Sequence, residues 1–328
     1  MKLESGMAAG GGGETARPGR TCPLAYRYGA ASLARAADFA ATSLIVVGGL
    51  YGNPFALDAV LAMRDRDPAS TLVFNGDFNW FDIDDSGFAR INAEVLRHPA
   101  IRGNVETELL AADAAAGCGC GYPDYVSQAD VDRSNLIMER LARTAQGHRT
   151  LAAQLANLPM TLVAQVGQAR VAVVHGDADS LAGWSFGEEA IDATRVARMF
   201  EAANADVFAS SHTCAAVAQV FATARGPGVL FNNGAAGMPN FAGTRCGLAT
   251  RIGIEPAPAG LRVLYRTRVA GVHVEALAID FDHVSWVAHF DALWPAGSPA
   301  SVSYRKRIVD GPAYALERAP RAGIERVA

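Results

Sequence analysis

Lysine is nearly absent from this chain of 328 residues. Only Lys2 and Lys306 occur, so arginine supplies almost all of the 29 basic residues. The arginines are scattered, and 33 acidic residues offset them. The sequence therefore lacks the strong positive field that is typical of proteins that bind nucleic acids or anionic membranes, and we predict neither partner.

Long apolar runs are also missing. Runs such as Leu44 to Val47 are far shorter than the roughly 20 residues that cross a bilayer. The N-terminus is glycine-rich from Gly10 to Gly13 and has no apolar stretch of the kind found in secretory signals. We expect a flexible tail over residues 1–20, no membrane span and a cytoplasmic location.

Cysteine is too sparse for a disulfide framework. Five cysteines are spread over the whole chain, and only one pair lies close together in sequence. We expect reduced thiols at all five positions: Cys22, Cys118, Cys120, Cys214 and Cys246.

Half of the residues are hydrophobic, which is enough for one substantial core. We expect one main domain over residues 21–295. Helical periodicity between about 124 and 157 predicts a helical insertion in it. The chain becomes rich in proline, serine and arginine after Trp294, so residues 296–328 are predicted to form a C-terminal extension.

Short apolar strands repeatedly end in polar loops. Leu44 to Val47 leads into the glycine-rich loop Gly48–Gly52, and Thr71 to Phe74 leads to Asp77. Each loop precedes a helical pattern, and a third such unit carries Asn104. Strand, loop and helix in this order predict an α/β sheet whose loops gather at the carboxyl ends of parallel strands.

Two later apolar segments repeat this arrangement. Arg170 to Val174 ends at His175, and Asp206 to Ala209 is followed by His212. From Val217 onward strand patterns dominate, so we expect mostly antiparallel sheet there.

Four of these polar loops carry a residue that binds metals, namely Asp77, Asn104, His175 and His212. A carboxylate, an amide oxygen and two imidazoles suit zinc, manganese or iron. Taken singly, a Gly-Asp pair is typical of a turn and a histidine beside glycine of a hydrogen-bonded loop. Their common position at strand ends favours a metal site.

The motif series resembles the calcineurin-like metallophosphoesterases, whose usual order is Asp-x-His, Gly-Asp, Gly-Asn-His-Asp/Glu, a later His, and Gly-His-x-His. The resemblance covers about residues 44–279 and includes a turn over residues 232–239. The corresponding stretches are Gly49–Asn53, Gly76–Asp77, Gly103–Glu106, His175–Asp177 and Ser211–Cys214.

The resemblance implies a four-layer α/β/β/α sandwich in which two metal ions activate water to hydrolyse a phosphate mono- or diester. It implies that Asp77 bridges the metals and that Asn104, His175 and His212 complete one of the two sites. Asp77, Asn104 and His212 would also act in catalysis through metal and phosphate. The implied substrate is a small phosphoester.

The other metal site departs from the family pattern. Gly49 stands where the family has Asp, Tyr51 where it has His, and Cys214 where it has the final His. Val105 replaces a further His that usually assists the leaving group or contacts the phosphate. Either Tyr51 and Cys214 are substitute ligands, or one metal remains, in a slow hydrolase or a non-catalytic binding scaffold.

Cys118 and Cys120 allow two interpretations. With Cys214 they would form a thiolate-rich first metal site. Alternatively, the flanking glycines indicate a surface turn that happens to contain thiols.

Other polar residues are candidates for orienting ligands or contacting substrate: Asn53, Glu106 and Asp177. Three arginines are candidates for contacting phosphate: Arg102, Arg245 and Arg251.

A nucleotide-binding module is a different class of function. Three glycines in the loop Gly48–Gly52, between a strand and a helix, could bind phosphate through backbone N–H groups. The spacing matches neither the P-loop nor the dinucleotide fingerprint, and this interpretation leaves His175 and His212 without a role.

Overall fold

Two six-stranded β-sheets form the centre of the molecule. The computed structural model describes residues 17–110 and 116–327, and most of the expected N-terminal tail lies outside these ranges. The strands are β1 Phe39–Ala41, β2 Ser43–Val47, β3 Ser70–Phe74, β4 Thr161–Val166, β5 Ala169–Val174, β6 Val207–Ser210, β7 Val217–Thr223, β8 Gly226–Asn232, β9 Gly247–Gly253, β10 Val263–Val269, β11 Val272–Ile279 and β12 Glu325–Arg326.

Eight α-helices accompany the sheets in the described ranges. They are α1 Pro54–Arg66, α2 Asp85–Val95, α3 Asn104–Glu108, α4 Gln128–Gly147, α5 Arg149–Ala156, α6 Ala193–Ala203, α7 His283–Leu293 and α8 Pro299–Asp310.

Both sheets mix parallel and antiparallel strands. The first sheet has the order β1-β4-β5-β6-β8-β7, and the second has the order β12-β10-β11-β9-β2-β3. Strand β2 runs parallel to β3, while β5, β6 and β8 run parallel to one another. The expected antiparallel pairs occur in the second half of the chain, at β7–β8 and β9–β11–β10.

Side chains of β2 show how the layers are held. Leu44 and Val46 belong to the apolar cluster that also contains residues of the first sheet, whereas Ile45 and Val47 belong to the cluster under α1, α2 and α4. Successive side chains of a strand point to opposite faces, so a strand buried on both faces must be apolar throughout. A third cluster packs α6 on the first sheet. The predicted four-layer α/β/β/α sandwich is confirmed.

The region predicted to be a helical insertion contains α4 and α5. Ile137, Met138 and Leu141 of α4 are buried in the same cluster as residues of α1 and α2. The two helices are therefore part of the main core.

The C-terminal region contributes more to the core than its composition suggests. Trp286 and Phe290 of α7 and Ile308 of α8 are fully buried, and α8 packs on α4. Ser298 and Pro299 mark the start of α8, a common arrangement at helix N-termini, and Gly311 follows its end. The C-terminal extension predicted for residues 296–328 therefore contains a helix that its composition did not indicate.

The three candidate phosphate-contacting arginines lie elsewhere in the fold. Arg251 on β9 is buried and pairs with Asp67 and Glu275 at 2.8 and 2.9 Å. Arg102 donates to the Ala156 carbonyl, and Arg245 is exposed. Because Arg251 compensates two buried carboxylates, its role is structural.

Among the helices that the structure describes, none combines the length and the apolarity needed to span a membrane.

Asp82 is a fully buried carboxylate, and its burial together with nearby Asp84 raises its pKa to about 8. The unfolded chain ionises this group near pH 4, so folding opposes ionisation and the free energy of unfolding falls as pH rises from about 4 to about 8. We expect Asp82→Asn to remove this loss and to stabilise the protein by about 2–5 kcal/mol at pH 8.

Urea unfolding at pH 5 and pH 8 checks this expectation. Asp65→Asn is the matched control, because the Asp65 side chain is largely exposed. An equal stability change at both pH values, or no change in Asp82→Asn, would contradict the assignment.

Candidate metal centre

Residues from both sheets meet at one edge of the sandwich. Asp77 follows β3, His175 follows β5, His212 follows β6, and Asn104 begins α3. All four side chains are at least nine-tenths buried. One potential ligand atom from each of Asp77, His175 and His212 lies within 4.8 Å of the other two, which is close enough for one ion.

His175 lies at the centre of this group. Its Nδ1 is 2.8 Å from the carbonyl oxygen of Asn75. Its Nε2 is 3.3 Å from Asp77 Oδ1, 3.1 Å from Asn104 Oδ1 and 3.1 Å from His212 Nδ1. A backbone carbonyl can only accept a hydrogen bond, so Nδ1 carries the proton that it donates and the lone pair of neutral His175 is on Nε2.

The same reasoning orients the other ligands. His212 Nε2 lies 3.1 Å from the carbonyl of Cys120, which leaves its Nδ1 lone pair facing His175. The Asn104 Nδ2 group donates a hydrogen bond to the carbonyl of Cys118 at 2.9 Å, which turns Asn104 Oδ1 toward His175. Lone pairs of four side chains therefore converge, and a cation would relieve their mutual repulsion. The donor set fits a metal ion of the zinc, manganese or iron type.

The protonation equilibria are consistent with this arrangement. Burial alone would raise the pKa of Asp77, but the positive form of His175, together with His212, holds it below its ordinary value. Burial disfavours that positive form, yet Asp77 raises the pKa of His175 above its ordinary value. A proton on His175 therefore offsets the carboxylate when no metal is bound, and a bound ion would take the place of that proton. Burial, together with His175, lowers the pKa of His212 to about 3, so this ring is neutral at physiological pH. A carboxylate and a neutral imidazole are the forms that bind metals.

Glu106 ties two ligand loops together. Its carboxylate accepts hydrogen bonds at 2.8 Å from the N–H groups of Asp77, Phe78 and Gly103. Burial and nearby Asp77 raise the pKa of Glu106 to about 7. The side chain positions Asp77 and Asn104 relative to each other.

Solved structures with the same architecture supply an independent comparison. A metallophosphoesterase from Sphaerobacter thermophilus aligns with a TM-score of 0.54 at 17% identity, over 83% of this chain and 100% of that chain. A hypothetical protein from Pyrococcus horikoshii OT3 aligns with a TM-score of 0.58 at 14% identity, over 83% of this chain and 99% of that chain. The chain has the metallophosphoesterase fold.

No family model matches the sequence, and no curated protein matches it significantly. The likeness to metallophosphoesterases is therefore one of fold, and the chemistry depends on the residues at the site.

The space between Gly49 and Cys214 is filled by the chain itself. A Cβ atom at position 49 would lie 2.5 Å from Cε2 of Tyr51, so the tyrosine ring takes the space beside Gly49 where a longer side chain would lie. The Tyr51 hydroxyl is 2.7 Å from Cys214 Sγ. Burial raises the pKa of both groups above their ordinary values, which favours a neutral pair.

Backbone strain is concentrated here. Six non-glycine residues of the described ranges have positive φ, and four of them lie in these loops: Tyr51, Asp77, His212 and Cys214. Such conformations cost about 1–3 kcal/mol each and are typical of functional sites.

Cys118 and Cys120 support the ligands through their carbonyl groups. Both residues are buried, so they do not form a surface turn. Their carbonyl oxygens hold Asn104 and His212, as described above. Their sulfur atoms are outside the described cluster that could hold a metal, as is Cys214 Sγ.

Asn53 and Asp177 are engaged in the fold of neighbouring loops. Asn53 caps the N-terminus of α1 through Oδ1, and its Nδ2 group donates a hydrogen bond to the Gly237 carbonyl at 2.9 Å. Asp177 accepts hydrogen bonds from the N–H groups of Asp179, Ser180 and Ser185. Both residues therefore position loops around the site.

The loop Gly48–Gly52 has little capacity for phosphate. The N–H groups of Gly49, Tyr51 and Gly52 donate to the carbonyls of residues 76, 77 and 78. Because these donors are used within the fold and Asn53 already caps α1, the geometry does not support the nucleotide-binding alternative.

Sequence reasoning missed the aromatic residues around the ligands. A cavity of about 130 Å³ opens next to Asp77, Asn104 and His212. Its aromatic lining consists of Tyr51, Trp80, Tyr122, Trp184 and Tyr304. Trp80 follows Asp77 by three residues and could have been suspected, but Trp184 and Tyr304 carry no local signal.

We expect the purified protein to bind about one zinc ion per chain after reconstitution, because the cluster offers one complete set of donors. His175→Ala and His212→Ala should lose most of this zinc. Cys214→Ser and Cys118→Ser are matched controls and should retain it. Inductively coupled plasma mass spectrometry measures the content.

Two zinc ions per chain, or loss of zinc in either cysteine variant, would instead support a thiolate-containing second site.

Proposed function

We propose that this protein is a metal-dependent phosphoesterase that hydrolyses phosphate mono- or diesters with a single metal ion. The observation that supports the proposal is the convergence of four lone pairs from Asp77, Asn104, His175 and His212 in a metallophosphoesterase fold. The metal ligands are those four residues.

A bound metal ion supplies Lewis-acid charge for the phosphate and lowers the pKa of a water ligand. Asp77, His175 and His212 would hold such an ion, and Asp77 and His212 also line the cavity. The aromatic walls limit access of bulk water, which strengthens electrostatic interactions inside. Thus the chain's own residues would position the metal ion, contribute the negative charge of Asp77 and line the cavity with aromatic side chains.

The leaving group receives little assistance from the protein. Val105 stands where the family that the sequence resembles has the histidine that assists the leaving group or contacts the phosphate, and the nearby Tyr51–Cys214 pair is neutral. The hydroxyl groups of Tyr122 and Tyr304 also line the cavity, but burial raises the pKa of both, which makes them weak acids. We infer that the enzyme acts on esters whose leaving group needs no proton.

The same Tyr51–Cys214 pair is the observation that favours a second candidate, a non-catalytic single-metal binding scaffold. In that case the cavity would bind a phosphoester without turnover.

Hydrolysis of 4-nitrophenyl phosphate and bis(4-nitrophenyl) phosphate, with zinc, manganese and iron supplied separately, distinguishes these functions. We expect turnover with at least one metal and a loss of about 100-fold or more in Asp77→Ala, since this change removes a ligand and its charge. Asp65→Asn serves as the exposed control. If no metal supports turnover above that of Asp77→Ala, the scaffold is favoured over the hydrolase for these esters.

Leaving-group dependence gives a second check. Because no described cavity residue is a suitable acid, we expect kcat/KM to fall by about 100-fold from nitrophenyl to unsubstituted phenyl esters. Steady-state kinetics over an aryl ester series measures this slope. A flat series with chemistry as the slow step would mean that an acid assists departure.

A further inference from the structure

A larger cleft adjoins the cavity at the metal ligands. The cleft has a volume of about 400 Å³ and shares Trp184, Thr213 and Cys214 with the cavity. Tyr125 and Tyr314 lie farther along its wall. A molecule held at the metal ligands can therefore extend past Trp184 toward the outside.

Trp184 is fixed between the ligands and the cleft. Its Nε1 donates to the Cys120 carbonyl at 3.0 Å, the same carbonyl that contacts His212. Its ring centroid is 5.2 Å from that of His212, 5.9 Å from Tyr122 and 6.3 Å from Tyr125. Tyr125 is 61% exposed, so an aromatic surface runs from His212 to solvent. Planar groups stack favourably on such surfaces.

The charge at the site restricts the phosphate. No described residue lining the metal cavity is arginine or lysine. In the cleft, Arg318 pairs with Glu188. The Arg307 guanidinium donates to the carbonyls of Pro239 and Cys214, which leave its positive charge in place, but it lines the cleft and not the metal cavity. Within the metal cavity, a divalent ion and the Asp77 carboxylate would together leave one positive charge, which matches one negative charge on the ligand. A second negative charge in this largely apolar cavity would be poorly compensated.

We propose that the site selects singly charged phosphodiesters that carry a planar aromatic group, either aryl or nucleoside, stacked on Trp184 and reaching Tyr125. The reaction itself rests on the hydrolase proposed above. Water would add to phosphorus, the P–O bond to one ester group would break, and that oxygen would leave with its electron pair. That oxygen would depart as an anion, the proton of the water would go to solvent, and a phosphomonoester would remain.

Binding is the primary test, because it is readable whether or not hydrolysis occurs. Four probes vary charge and aromaticity separately: bis(4-nitrophenyl) phosphate, 4-nitrophenyl phosphate, diethyl phosphate and ethyl phosphate. Stopped-flow quenching of tryptophan fluorescence, supported by calorimetric titration of the aliphatic probes, gives each Kd for the zinc-loaded protein. We expect the aryl diester to bind at least about tenfold more tightly than each of the other three.

Variants test whether aromatic side chains carry the preference. We expect Tyr125→Leu and Trp184→Leu to weaken aryl diester binding about five- to tenfold while the Kd of diethyl phosphate stays within about twofold. Trp184→Phe keeps an aromatic face but loses the bond to Cys120, so it should retain most of the preference. Calorimetry gives the Kd values of the Trp184 variants, and zinc content and circular dichroism identify variants with a damaged site.

If Trp184→Leu fails to fold or to bind zinc, the Tyr125→Leu variant alone tests the aromatic preference, because Tyr125 is largely exposed and its replacement should leave the fold intact. Tighter binding of the aryl monoester than of the aryl diester would overturn the charge argument. Equal loss of aryl and diethyl phosphate binding in folded Tyr125→Leu would overturn the aromatic argument. Selective binding without turnover would leave this inference standing and contradict the hydrolase.

Discussion

Repulsion between converging lone pairs is the constraint on which the site depends. Each of the two histidines donates a hydrogen bond from one ring nitrogen to a backbone carbonyl, and the amide N–H of Asn104 donates to another carbonyl. These carbonyls belong to Asn75, Cys120 and Cys118, so the backbone dictates which atoms face inward. The buried group is stable only when a positive charge lies among the remaining lone pairs, and a metal ion provides that charge without consuming the ligands.

The altered half of the centre follows from one local substitution pattern. With Gly49 the chain leaves room for the Tyr51 ring, and Tyr51 then reaches Cys214. The contact is a hydrogen-bonded pair of neutral side chains at two positions where the family that the sequence resembles has metal ligands. Fewer charges are consequently gathered at the site, and the aromatic walls become the main source of contact with a ligand.

Departures from the sequence-based expectations share a physical origin. The two thiols between Gly117 and Gly121 look exposed in sequence because glycine is typical of turns, yet packing buries them and uses their carbonyls. Helix α8 lies in a segment rich in proline and serine, but Tyr304 reaches the metal cavity from it. An arginine such as Arg251 can bind phosphate, but the Arg251 guanidinium already forms ion pairs with two buried carboxylates.

The sequence by itself determined the succession of strands and helices and the order of the four polar loops, because periodicity and the residues after each strand are local properties. The four-layer arrangement was implied only by the resemblance to metallophosphoesterases. The sequence left open whether Tyr51 and Cys214 act as ligands, and it did not point to Trp184 or Tyr304. Only the tertiary structure decided that Tyr51 packs beside Gly49 and that residues over 200 positions apart share one cavity. Such contacts depend on how distant elements pack, and no local pattern encodes them.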